Sequence, residues 1–183
     1  MKPLHFRLAA AALWCALLAI TLITAPPAAP GTAELISRLA SGQLEGVNLS
    51  LFALFNLMGL WPAAMAVALR FDARWWKWLF LVVSFGLGAF ALLPYFMVRP
   101  WLEPRREPSS FIGRLLSSRW VLRAIALATI CFGALFLLGG PADFATLLRT
   151  QQFPYVMSLD FFAFCGAAVL LVVEQRTLSS HQR

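Results

Sequence analysis

Long hydrophobic runs alternate with short polar segments along the whole of this 183-residue chain. A transmembrane helix needs about 20 mostly apolar residues, since each residue advances the helix by about 1.5 Å. Five runs approach that length: Leu8 to Ala25, Ser50 to Leu69, Trp78 to Val98, Val121 to Gly139 and Met157 to Val173. The pattern predicts an all-α polytopic integral membrane helix bundle, with about five transmembrane helices in a single membrane domain over residues 1–183.

The connections between the runs contain short amphipathic segments. AELISRLASGQL follows the first run, SSFIGRLLSSRW precedes the fourth and DFATLLRT precedes the fifth. Each is typical of a short interfacial helix that lies on the membrane surface. The connection FDARWWKW between the second and third runs is short, so we expect those two helices to form an antiparallel hairpin.

The first run also has features of a secretory signal. Lys2 and Arg7 precede it, and the small residues and prolines of APPAAPGTA follow it. Its apolar part is longer than that of a usual signal, so we favour a retained helix. A mature N-terminus near Ala29 to Ala33 would instead remove this helix from the count.

The composition agrees with a membrane protein, because 61% of the residues are hydrophobic and only 13% are charged. A soluble domain has about half its residues apolar and about a quarter charged. The net charge of +7 arises from basic residues in the connections, where they contact lipid headgroups and set orientation. We therefore expect the lipid bilayer and other membrane proteins as partners, and no nucleic acid. With five spans, basic residues fall on both sides and leave the orientation open.

Asn56 and Pro62 interrupt the second run and raise a packing question. An unpaired amide is costly in hydrocarbon, and a proline frees a backbone carbonyl, so both need partners inside the protein. Small residues at helical spacing form one face on each of the second and third runs, and such faces allow close contact. The predicted packing residues are Asn56, Gly59, Pro62, Ser84, Gly88, Ala91 and Tyr95. We expect Gly59 to face Gly88 and Tyr95 to reach Asn56; a ligand or pigment contact at Asn56 is the alternative.

Asp160 is the acidic residue with the strongest claim to a function. It falls near the start of the fifth run, where a carboxylate caps free N–H groups and complements the positive helix end. An ion pair with Arg123 or Arg149 is a second interpretation. Ion or proton coupling is a third, because an ionisable group within a membrane is a functional hypothesis by default.

The usual residues for catalysis and cofactor binding are sparse. The only histidines, His5 and His181, lie near the ends of the chain, and the three cysteines lack metal-ligand spacing. We expect the cysteines to be small buried hydrophobes. The sequence has no phosphate-binding glycine loop and no nucleophile motif. We therefore predict no enzyme activity, no cofactor and no metal.

Three segments in order along the chain carry a family resemblance: FALFNLMGLWPAAMAVAL, FGLGAFALLPYFMVRP and PYVMSLDFFAF. From about Leu51 to Asp160 the chain resembles an uncharacterised family of small polytopic membrane proteins of cyanobacteria and plastids. The resemblance implies a cell inner membrane or thylakoid-type membrane and a role beside photosynthetic complexes, but no catalytic or binding residues. The C-terminal EQRTLSSHQR departs from the more charged terminus that the resemblance leads us to expect.

Two functions are compatible with these features. The first is a non-enzymatic scaffold, assembly factor or accessory subunit of a membrane complex, favoured by small-residue faces and interfacial helices. The alternative is a small transporter or channel component, which we expect to act as an oligomer because few short helices enclose little space.

Overall fold

The structure is a computed structural model, and it describes residues 3–70, 72, 74–99 and 111–180. Within these residues the chain forms nine α-helices and no β-strand, so the all-α prediction is confirmed. The helices are α1 (Pro3–Thr24), α2 (Thr32–Ser41), α3 (Leu49–Ala68), α4 (Lys77–Leu87), α5 (Ala89–Val98), α6 (Phe111–Leu116), α7 (Arg119–Leu138), α8 (Pro141–Thr150) and α9 (Gln152–Ser180).

Four of these helices, α1, α3, α7 and α9, are long and apolar enough to cross a membrane. They alternate in direction. Thr24 at the end of α1 hydrogen-bonds Tyr155 near the start of α9 (2.6 Å), and Ser50 at the start of α3 donates to the Phe136 carbonyl near the end of α7 (2.7 Å). We call the end of the bundle at which α1 begins the near end, and the end at which α1 finishes the far end.

The third apolar run does not form the single crossing helix that its length predicts. It breaks at Gly88 into α4 and α5, and α5 turns back toward the near end. The Tyr95 ring near the end of α5 lies 4.9 Å from Trp76 and 5.6 Å from Phe80, at the start of α4. Each arm is about 15 Å long, half the thickness of a bilayer core. Four helices therefore have the length to span, where the sequence suggested about five. α4 and α5 form a hairpin of two half-length arms, which we call the re-entrant hairpin.

The main hydrophobic core surrounds this hairpin. Its buried residues come from α1, α3, α4, α5 and α9, and include Phe6, Ala10, Leu92 and Phe164. The indole N–H of Trp14 donates to the Phe90 carbonyl (3.1 Å) and joins α1 to α5. The first apolar run is thus part of the core.

The short helices expected in the connections are confirmed as helices at α2 and α8, which pack at the far end. Leu39 of α2 and Phe144 of α8 are buried there beside Leu51, Leu54 and Met157. The prediction for SSFIGRLLSSRW is met in part by α6, and its first residues lie outside the described chain.

Both ends of α9 differ from expectation. α9 begins five residues before Met157 and continues through the tail to Ser180, whereas the sequence suggested an end near Val173. α7 packs along α3, and none of its side chains is buried.

Candidate functional site

The tip of the re-entrant hairpin is formed by Gly88. Its backbone angles, φ 57° and ψ −138°, are ones that residues with a side chain rarely adopt. α4 therefore ends at Leu87, and α5 begins at Ala89 with its first N–H groups lacking helical partners. The consequence is an interrupted helix in the middle of the bundle.

Asp160 of α9 satisfies this exposed helix start. Its carboxylate accepts a hydrogen bond from the Ala89 N–H (2.8 Å) and lies directly against Gly88. A β-carbon on Gly88 would come within 1.5 Å of a carboxylate oxygen, so only glycine allows this approach. The side chain of Asp160 is buried, and residue 160 is 71 positions from the backbone it caps.

The cap that Asp160 forms is therefore not the one predicted. α9 begins at Gln152, so Asp160 lies in its third turn and cannot cap its own helix. The predicted ion pair with Arg123 or Arg149 is also wrong, because the ion pairs found in the described part of the chain are Arg74–Asp72 and Arg99–Glu174. The third interpretation, ion or proton coupling, stays a prediction.

A groove of about 580 Å³ opens above the hairpin tip. The hairpin ends halfway along the bundle, and side chains of α2, α3, α4, α5 and α9 line the groove. The walls are mainly apolar, and Asp160 supplies the ionisable group in the lining. The lining includes Phe55, Met58, Gly59, Phe85, Phe90, Phe153, Met157 and Asp160.

The predicted contact between Gly59 and Gly88 is wrong. Both residues line this groove, and a β-carbon placed on Gly59 would meet no atom within 4 Å. The two glycines thus face a shared space and do not touch. Their small size leaves the groove open, whereas the sequence suggested that it would bring two backbones together.

The other predicted packing residues also have partners different from those expected. Asn56 donates to the Phe52 carbonyl of its own helix (2.9 Å), and Tyr95 donates to Asp72 in the α3–α4 turn, so the predicted Asn56–Tyr95 bond is absent. Ser84 is buried and donates to Leu81 (2.7 Å). Ala91 and Pro62 are buried within α5 and α3 respectively.

Asn56 lies one helical turn from Phe52, whose ring meets Phe132 of α7 at 6.4 Å. The face that carries Asn56 is therefore turned toward α7.

A buried polar network that the sequence did not indicate closes the near end of the hairpin. Asp72 accepts from Tyr95 and forms an ion pair with Arg74 (3.0 Å). The Lys77 ammonium donates to the Leu69 carbonyl (3.0 Å) and to the Asp72 carbonyl. Burial lowers the pKa of Lys77, and the Asp72 carboxylate opposes this shift. These contacts tie the start of α4 and the end of α5 to the turn after α3.

A second buried ion pair fixes the end of α5 to α9. The Arg99 guanidinium donates to both carboxylate oxygens of Glu174, and both side chains are almost fully buried. The guanidinium carbon also lies 4.7 Å from the Phe6 ring centroid and 5.1 Å from that of Phe96. Arg7 donates to the Arg99 carbonyl (3.1 Å), so α1, α5 and α9 meet at this point.

No three His, Cys, Asp or Glu side chains come together in the described residues. The expectation of buried cysteines is corrected: Cys15 and Cys131 are exposed on the bundle surface and Cys165 is half-buried.

A second groove, of about 410 Å³, lies beneath α8, and its lining has no ionisable side chain. The groove at the hairpin tip is therefore the better candidate for a site.

Comparisons with protein-family models, with curated proteins and with solved structures find no match to this chain.

Proposed function

We propose that this non-enzymatic integral membrane protein is a small transporter or channel component, and that its ligand site is the groove at the hairpin tip. The observation that carries the proposal is the re-entrant hairpin itself, with a buried carboxylate at its interrupted tip. Irregular backbone at membrane depth is tolerated where it is covered by protein or lines a cavity. In many transporters, interrupted helices form the substrate site near the middle of the membrane.

The two ends of the hairpin support a site that opens to one side. Toward the far end the groove is bordered by Ile36 of the surface helix α2. Toward the near end, the Arg99–Glu174 pair and the Tyr95–Asp72 bond close the space beneath the tip. With only four spans, one chain encloses little volume, so we propose that the transporter acts as an oligomer.

If the hairpin is re-entrant, most of the basic residues lie at one end of the bundle, and this asymmetry supports an orientation of the protein in the membrane. Among the described residues, the far end carries Arg38 and Arg149 alone. The near end carries Arg7, Arg70, Arg74, Lys77, Arg99, Arg114, Arg119, Arg123 and Arg176. By the positive-inside rule, we propose that the near end faces the cytoplasm or its equivalent. The resemblance described above adds the proposal of a cell inner membrane or thylakoid-type membrane.

Cysteine labelling tests the ligand path without knowledge of the ligand. In a variant with the three native cysteines replaced by alanine, Gly59→Cys places a thiol in the groove, where nothing lies within 4 Å of the new β-carbon. We expect a membrane-impermeant maleimide added at the far side to label it. Ile130→Cys is the matched control, since it lies at similar depth on the exposed face of α7 and should face lipid. Equal, slow labelling of both thiols would refute an aqueous ligand path.

A scaffold or accessory subunit remains the second candidate, and α7 favours it. This helix contacts α3 along one side and buries none of its side chains, which leaves most of its surface free for a partner helix. Mild detergent extraction from the native membrane, followed by identification of co-purifying proteins, tests this function. Ala126→Trp on the exposed face of α7 should reduce such co-purification, and unchanged co-purification would argue against α7 as the contact surface.

A further inference from the structure

The walls of the groove have a composition that suits a particular class of ligand. Phenylalanine rings from all the main helices around it line the space: Phe55, Phe85, Phe90 and Phe153. The face of an aromatic ring attracts cations through its quadrupole. Met58 and Met157 add flexible, polarizable side chains, which are common on surfaces that accept ligands of varied shape. The volume of about 580 Å³ falls within the usual range of small-molecule pockets.

The inner end of the groove carries an ionisable carboxyl group without a basic partner among the described residues. Asp160 is buried in the lining, and it forms no ion pair within the described residues. The nearest buried arginine along the hairpin, Arg99, is bound to Glu174 and lies ten residues, about 15 Å of helix, beyond Ala89. A carboxylate in hydrocarbon is costly unless a partner offsets its charge.

The helix ends at the tip do not supply that partner. The start of α5 presents a partial positive charge to Asp160, but α4 ends at the same tip and presents a partial negative charge of about the same size. Neither helix end carries a full charge, so a formal positive charge beside Asp160 is still missing among the described residues. The ionisable group at the inner end of the groove is therefore the Asp160 carboxyl group.

We propose that the groove binds a lipophilic organic cation, an apolar molecule with a single positive charge. This inference rests on the proposed ligand site and specifies its ligand class. The aromatic walls favour the apolar body and the charge together, and the Asp160 carboxylate faces the positive group. An anion would be repelled by the carboxylate. A hard metal ion would need several oxygen ligands, and the described residues bring no three acidic or other metal-binding side chains together.

The test uses two probes of nearly the same shape and opposite charge, tetraphenylphosphonium and tetraphenylborate. Equilibrium dialysis of the purified full chain in detergent measures the saturable binding of each. We expect saturable binding of tetraphenylphosphonium alone. Gly59→Leu should weaken it about tenfold or more by filling the groove. Gly133→Leu is the matched control, because its β-carbon would also meet nothing within 4 Å but would lie outside this groove.

Asp160→Asn tests the charge directly, with about a tenfold or greater loss of phosphonium affinity expected. The asparagine side-chain oxygen can still accept from the Ala89 N–H, so the hairpin cap is retained. If Asp160→Asn fails to fold, the Gly59→Leu and probe comparisons still decide, since neither alters Asp160. Equal binding of the two probes would overturn the cation proposal. So would phosphonium binding by the Gly59→Leu variant that is as strong as binding by the unsubstituted protein. If Gly59→Cys is labelled from the far side but the phosphonium does not bind, the ligand class fails and the proposed ligand path stands.

Discussion

Replacing Gly88 by alanine should destabilise the protein more than any other glycine-to-alanine change in the hairpin. A side chain at φ 57° costs about 1–3 kcal/mol in backbone strain. The added β-carbon would come within 1.5 Å of an Asp160 oxygen, so the carboxylate must move and lose its hydrogen bond to Ala89. A hydrogen bond to a charged group contributes about 1.5–3 kcal/mol. We therefore expect Gly88→Ala to lower the free energy of unfolding by about 2.5–6 kcal/mol.

The measurement is unfolding in mixed detergent micelles, with Gly86→Ala as the matched control. Gly86 lies in the same hairpin, and a β-carbon there would meet nothing within 4 Å. Alanine within a helix is favoured over glycine by about 0.5–1 kcal/mol, so Gly86→Ala should be neutral or slightly stabilising. Adding Asp160→Ala to Gly88→Ala should cost less than the two single changes suggest, because the clash is removed. The reasoning is refuted if Gly88→Ala and Gly86→Ala unfold with free energies within about 1 kcal/mol of each other.

Two further predictions concern the near end. Arg99→Gln should cost about 3–5 kcal/mol of unfolding free energy, because Glu174 keeps a buried charge without its partner. The double change Arg99→Met with Glu174→Leu should recover much of that loss, and a double variant as unstable as Arg99→Gln would contradict this account. Tyr95→Phe should cost about 1–3 kcal/mol by removing the donor to Asp72, measured by the same unfolding assay. A neutral Tyr95→Phe would mean that this bond does not hold the end of the hairpin.

Hydropathy alone predicted much of the bundle. The four long helices correspond to four of the five apolar runs, because a run of about 20 apolar residues has few folded alternatives. The amphipathic segments also predicted α2 and α8. These features depend on residues that are neighbours in the chain, so one sequence is enough to find them.

The hairpin was missed because it depends on contacts between distant residues. Trp78 to Val98 has the length of a span, and its apolar residues do not reveal a reversal. The break needs Gly88 in an unusual backbone conformation and Asp160, 71 residues from Ala89, to satisfy the freed N–H. The sequence signal for this break was the set of helix-interrupting residues Gly86, Gly88 and Pro94. Interruptions by glycine and proline mark discontinuous helices in transporters.

The sequence predicted some of the site residues, but the structure gives them a different role. Gly59, Gly88 and Asp160 do meet around one space, but as the lining of a groove and not as a packed contact. Arg99 and Glu174 were missed because they lie 75 residues apart, near the ends of two apolar runs. A single sequence contains no information on which distant charges pair.

The most direct test of the re-entrant hairpin is the sidedness of the segments that flank it. Single cysteines at Trp75 and Arg114, both exposed in the fold, would be labelled with an impermeant maleimide in oriented vesicles, beside far-end references at Ser41 and Gln152. A re-entrant hairpin returns the chain to the near end, so residues 75 and 114 should be labelled from the same side, and residues 41 and 152 from the opposite side. Labelling of residues 75 and 114 from opposite sides would mean that the third apolar run crosses the membrane, and the hairpin, its groove and the proposed site would all be wrong.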